Sequence, residues 1–77
     1  MQTSGGLVSE VRRAKRLPIH VVARAIREAA GVSQERLAAE IGVHRITVAR
    51  WESGERRPRG QSRIAYAELL AQLESIT

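Results

Sequence analysis

An all-α domain, a compact bundle of four to five helices without strands, is the fold this sequence predicts. Apolar residues recur at three- and four-residue spacing through most of the chain, and no stretch alternates with the period of two that a strand requires. Glycine or proline interrupts the apolar stripes at Gly31, Gly42, Gly54 and the segment Pro58–Gly60, which cuts the chain into helix-length pieces.

The elements follow in chain order. Met1 to Gly6 is small, polar and glycine-bearing, and is expected to be a tail without fixed structure. Leu7 to Arg16 admits two readings. Leu7, Val8 and Val11 sit at helical spacing, while Arg12, Arg13, Lys15 and Arg16 equally suit a flexible basic arm. Residues 1–16 are therefore set apart as an arm, and 17–77 as the folded domain. Pro18 suits the first turn of a helix, where its missing N–H costs nothing. That helix is expected to run to Ala30 with Val22, Ala25, Ile26 and Ala29 inward.

Ser33 is a good N-cap for a second helix, and Glu35 in its first turn complements the helix dipole. Leu37, Ala38 and Ile41 make its apolar stripe, and Gly42 ends it in a left-handed conformation. A third helix spans about His44 to Ser53, with Val48 and Trp51 inward and Gly54 as its stop. Only three or four turn residues separate the second helix from the third, so the two must cross steeply. That is a helix-turn-helix, and Ala38 keeps the crossing close. The loop Glu55 to Gly60 is basic. A fourth helix, from about Gln61 to Ser75, carries Ile64, Ala67, Leu69 or Leu70, Leu73 and Ile76 in a broad stripe.

Composition narrows the function. Seventy-seven residues make one small domain, and a chain of this size buries only about 60–65% of its unfolded surface. Without cysteine there are no disulfides or thiolate metal sites, and two separated histidines make no metal site. No apolar run is long enough to span a membrane, and no signal peptide is visible, so a bacterial cytoplasmic protein associated with the nucleoid is expected. No carboxylate pair, nucleophile-base set or phosphate loop suggests an enzyme, and no catalytic residue, metal or cofactor is assigned. So small a domain is also expected to have no room for a small-molecule ligand pocket.

The net charge is +5, a legitimate argument about partners, and its distribution says more than its size. Six basic residues lie within 11–27, six arginines within 44–63, and none from Ile64 onward, where Glu68 and Glu74 make the chain acidic. One end of the molecule suits a polyanion and the other does not.

The segment Ser33 to Gly54, SQERLAAEIGVHRITVARWESG, resembles the helix-turn-helix of the phage-repressor class, the Cro and repressor-type (XRE-like) DNA-binding domains. Ser33, Gln34, Leu37, Ala38, Ile41, Gly42, Val43, Val48, Trp51, Glu52 and Gly54 carry the match, and the similarity extends over residues 18–75. His44 departs from it, because the family usually has Ser or Thr there and His caps less well. The resemblance implies a lambda-repressor-like fold whose third helix lies in the major groove of double-stranded DNA.

On that placement the outward residues meet the operator. Arg45 and Arg50 are the candidates for reading bases, since an Arg fork matches the two acceptors of guanine. Ile46 either meets a thymine methyl or packs at the edge of the turn. His44 and Thr47 are better placed for phosphate. Gln34, by resemblance, contacts phosphate at the start of the second helix. Arg56, Arg57 and Arg59, just past the third helix, read as phosphate clamps, which position the protein without reading sequence. Arg12, Arg13, Lys15 and Arg16 either track the DNA or form a solvated tail. The resemblance also pairs Arg27 with Glu52 in a partly buried ion pair.

A monomer reading a few base pairs is too unspecific for a genome, so a homodimer on a palindromic operator is expected, at least on DNA. Tyr66, Leu69, Leu70, Leu73 and Ile76 are assigned to its interface; the alternative is that they only close the core. The function expected is a sequence-specific transcriptional regulator, a Cro-like protein or small repressor of a phage or mobile element. An antitoxin that represses its own operon is the alternative, and a non-DNA adaptor or an enzyme fits less well.

Overall fold

In the computed structural model, which describes residues 16–76, four helices lie between the glycine interruptions. They are α1 (His20–Ala29), α2 (Gln34–Ile41), α3 (Arg45–Glu52) and α4 (Gly60–Ser75). Among the described residues there is no strand. Arg12, Arg13 and Lys15, with the tail and most of the arm, lie outside them.

The second and third helices form as their residues dictate. The Ser33 hydroxyl accepts a hydrogen bond from the Arg36 amide at 3.0 Å and closes the first turn of α2. Gly42 ends that helix at φ +90°, and both its amide and that of Val43 donate to the Ala38 carbonyl. Three residues, Gly42 to His44, then turn the chain into α3, whose N-cap His44 makes no side-chain capping bond. The two helices share more packing surface with each other than any other pair among the described residues. Leu37, Ala38 and Val48 are buried where they cross.

The first helix departs from its pattern. It begins at His20, because Ile19 before it is extended (ψ 151°), and Leu17 packs against the core. Its buried face is Ala23, Ile26 and Arg27, whereas Val22 is 45% exposed and Ala25 and Ala29 also face solvent. The cause is electrostatic. Arg27 Nε and Nη2 donate to Glu52 Oε2 and Oε1 at 2.6 and 3.0 Å, and Nη1 donates to the Val32 carbonyl at 2.7 Å. Turning Arg27 inward rolls the valine–alanine stripe out.

The core is small. Trp51 of α3 meets Tyr66 of α4 with ring centroids 4.7 Å apart and planes tilted by 34°, a geometry that adds about 0.5–1.5 kcal/mol beyond simple burial. Ala67 and Leu70 close the core from α4. The Tyr66 hydroxyl has no hydrogen-bond partner among the described residues. Burial, and after it the charge of Glu52, pushes its pKa up to about 12 against the opposing charge of Arg27.

Two outcomes follow from the buried polar groups. Burial pushes the Glu52 carboxyl up, but hydrogen bonds from Arg27 and Gln34 and the Arg27 charge outweigh it and hold the carboxyl below its ordinary value. A carboxyl depressed on folding stabilises the protein above its unfolded pKa, and that contribution is lost as pH falls through the folded value. Thermal melts should therefore show stability from Glu52 intact at neutral pH and failing as pH falls below 4.5, the ordinary carboxyl value. Arg27→Met alone, leaving a buried unpaired carboxylate, should lower unfolding free energy by about 3–5 kcal/mol, and adding Glu52→Leu should restore most of it. By contrast, urea titration of Tyr66→Phe should show no loss of stability, since the hydroxyl removed is desolvated without a partner among the described residues.

Candidate nucleic-acid interface

The outward surface of α3 is fixed by what its inward surface needs. Val48, Trp51 and Glu52 are buried, so His44, Arg45, Ile46 and Arg50 face solvent, with Thr47 and Ala49 half-buried between them. Ile46 is 46% exposed, so it leaves apolar surface on the outward side of α3.

Gln34, the first residue of α2, links this surface to the interior. Its Nε2 donates to Glu52 Oε1 at 3.0 Å, and its Oε1 accepts from Arg45 Nη1 at 3.2 Å. A carboxylate can only accept and a guanidinium can only donate, so the amide has one possible orientation. A continuous series of hydrogen bonds thus runs from the exposed Arg45 through Gln34 and Glu52 to Arg27. Gln34 was expected to hold phosphate; here its amide oxygen is committed to Arg45, and only its second N–H is left to donate outward.

The α3–α4 loop is strapped to the same helix. The Arg56 amide donates to the Arg50 carbonyl at 3.1 Å, and the Ser53 hydroxyl donates to that same carbonyl. Pro58 is buried and anchors the far side of the loop. Arg56, Arg57 and Arg59 are left exposed just beyond the C-terminal end of α3, with Glu55 the one acid among them. On the other side, the His20 imidazole packs over Gly54, where an added Cβ would come within 2.8 Å of Nε2. His20 Nδ1 donates to the Glu52 carbonyl at 3.1 Å.

The remaining assignments are redistributed. Arg16 is exposed at a shallow groove beside Ala67, Ala71 and Glu74 of α4, which sets it against the acidic helix rather than against α3. Tyr66 and Leu70, assigned to a dimer interface, are 2% and 1% exposed and belong to the core, because the Tyr66 ring is turned onto Trp51. Leu69 and Leu73 are half-buried against the core, and Ile76 is 76% exposed. A cleft of about 580 Å³ opens between the start of α1, the α3–α4 loop and the first turns of α4. Among the described residues, no group of three or more His, Cys, Asp or Glu could hold a metal ion. Nor is any helix of these residues long and apolar enough to cross a membrane.

With this geometry in view, the sequence model of the family described as helix-turn-helix matches residues 24–72. No curated protein and no solved structure matches the chain.

The Gln34 bridge has a sharp consequence. Gln34→Ala removes one donor from the buried Glu52 carboxylate and should cost about 1.5–3 kcal/mol, the range for hydrogen bonds to charged groups. Gln34→Glu, nearly the same size, sets a second carboxylate against Glu52 and should cost more. Equal stabilities of the two variants in urea would contradict the bridge.

Proposed function

The chain belongs to the helix-turn-helix family, of the Cro and repressor (XRE-like) kind, which is a DNA-binding regulatory family and not an enzyme family. From that membership we propose that the protein is a sequence-specific transcriptional regulator that places α3 in the major groove of a palindromic operator. The role fits a Cro-like protein or small repressor of a phage or mobile element, acting on the nucleoid of a bacterial host.

One observation carries the proposal. The exposed surface of α3 is cationic while its opposite surface is core, and its leading arginine is held by Gln34 before any DNA arrives. Arg45 and Arg50 then read guanine edges, and Ile46 meets a thymine methyl. His44, Thr47 and the second N–H of Gln34 face phosphates on one side of the groove. Arg56, Arg57 and Arg59 grip the backbone on the other, their side chains exposed on a loop that a main-chain bond fixes to α3. A helix carrying its charge on a rigid face loses little side-chain freedom on binding, which favours affinity.

Dimerisation falls to the part of α4 the core leaves uncovered. Leu69, Leu73 and Ile76 offer apolar surface on a helix with no basic residue beyond Arg63, and a second copy there sets two recognition helices about one turn of DNA apart. A second reading, an antitoxin autoregulating its operon, is favoured by the apolar strip Val21, Val22, Ala25 and Ala29 left open along α1. A toxin gene beside this one would support it.

Selection of bound duplexes from a random pool tests the main reading, which requires a palindrome to emerge. On the selected site, Arg50→Ala should cost about 1–3 kcal/mol and relax preference at one base pair. Arg57→Ala should weaken binding to all sequences alike and lower the salt slope by about one. Light scattering should find two copies of the chain on each duplex; a single copy on a full operator would overturn the dimer.

A further inference from the structure

We propose that Gln34 is a positioning residue for base reading, one that aims the guanidinium of Arg45 at a single base pair. The buried Glu52 carboxylate in turn orients Gln34. This role rests on the DNA-binding reading above and deepens it, because it names what makes one contact of α3 selective.

The control begins in the core. The Glu52 side chain is 2% exposed, and both its oxygens are engaged. Oε2 accepts from Arg27 Nε, and Oε1 accepts from Arg27 Nη2 and from Gln34 Nε2. An ionised carboxylate offers no proton, so the Gln34 amide turns its nitrogen inward. Its oxygen is thereby left facing outward, where it accepts from Arg45 Nη1 at 3.2 Å. A flipped amide sets oxygen against carboxylate and N–H against N–H, and loses both bonds at once.

The part of Arg45 left free is the part that reads bases. A guanidinium carries five N–H donors, and Gln34 engages Nη1. Nε and Nη2 remain as a parallel pair, the same edge by which Arg27 holds the Glu52 carboxylate. That edge matches the O6 and N7 acceptors of guanine. An exposed arginine without a tether is free to meet any phosphate within reach, a contact that carries no sequence information. Anchored through Nη1 at the first residue of α3, Arg45 keeps its fork in one place and loses less freedom on binding. Gln34 thus acts on selectivity without touching a base.

Duplexes selected from a random pool supply the probe, and the base pair whose preference Arg45→Ala abolishes is the one to watch. Two variants separate the bonds of Gln34. Gln34→Ala loses both, whereas Gln34→Lys keeps a donor for Glu52 but has no acceptor for Arg45, and so preserves the fold. In each, discrimination at that pair should fall by about fivefold or more, while discrimination at the pair read by Arg50 stays in place. Neither change should reduce discrimination further once Arg45 is replaced by alanine. In the free protein, nitrogen-15 relaxation should show the Arg45 Nε–H more ordered in the wild type than in Gln34→Lys. Undiminished discrimination in Gln34→Lys overturns the role, as does equal order of the Nε–H in the two proteins. A loss in Gln34→Ala spread evenly over all sequences also overturns it, and leaves Gln34 a phosphate contact. Failure to bind any duplex overturns instead the DNA-binding reading on which the role depends.

Discussion

A buried guanidinium held by a buried carboxylate organises this small domain. Arg27 and Glu52 come from α1 and α3, lie within 2.6 Å of one another and are almost wholly withdrawn from solvent. Such a pair contributes little net stability, because desolvating two charges offsets most of their attraction. What it fixes is orientation. With two donors of Arg27 on the carboxylate and a third on the Val32 carbonyl, α1 has one roll angle and α3 one position against it. Gln34 joins α2 to the same carboxylate, so three of the four helices meet at one side chain.

The remaining architecture adjusts to that junction. Rolling α1 to deliver Arg27 exposes Val22 and leaves Ala23 to pack in its place, which thins the core on that side. The Trp51–Tyr66 contact compensates on the other, placing the two largest side chains of a chain without phenylalanine at the centre. Part of the apolar surface that a larger domain would bury stays accessible, along α1 and at the end of α4. A cleft opens beside Trp51, lined before α1 by Leu17, Pro18 and Ile19.

Much of this was legible in the residues themselves. The helix boundaries around Gly42 and Gly54 were readable because positive φ is a local demand that glycine meets best. The inward set of α2 and α3 was readable because Leu37, Ala38, Val48 and Trp51 keep one spacing throughout. The exposed face of α3 followed from that by subtraction. The roll of α1 was not readable from its own pattern, since Val22, Ala25 and Ala29 form a better apolar stripe than the one buried. The decision was made by a charge twenty-five residues away, which periodicity cannot register. Tyr66 and Leu70 were misplaced for a related reason, because a broad stripe on α4 does not say which part faces the core. Nor does any sequence signal mark a cleft formed by three separate segments, or show that the Gln34 oxygen points at Arg45.

The strap between the Arg56 amide and the Arg50 carbonyl is a main-chain bond, so it does not depend on which side chains occupy either position. In the proposed complex, the guanidinium groups that hold the backbone keep their register to α3 whatever residues α3 turns outward. Recognition and grip are then separable modules within a single chain. If α3 reads the operator as proposed, residues 45, 46 and 50 can be rewritten to address a new site while the loop keeps its hold on the backbone. A lineage built this way can drift among targets without passing through a form that fails to bind DNA.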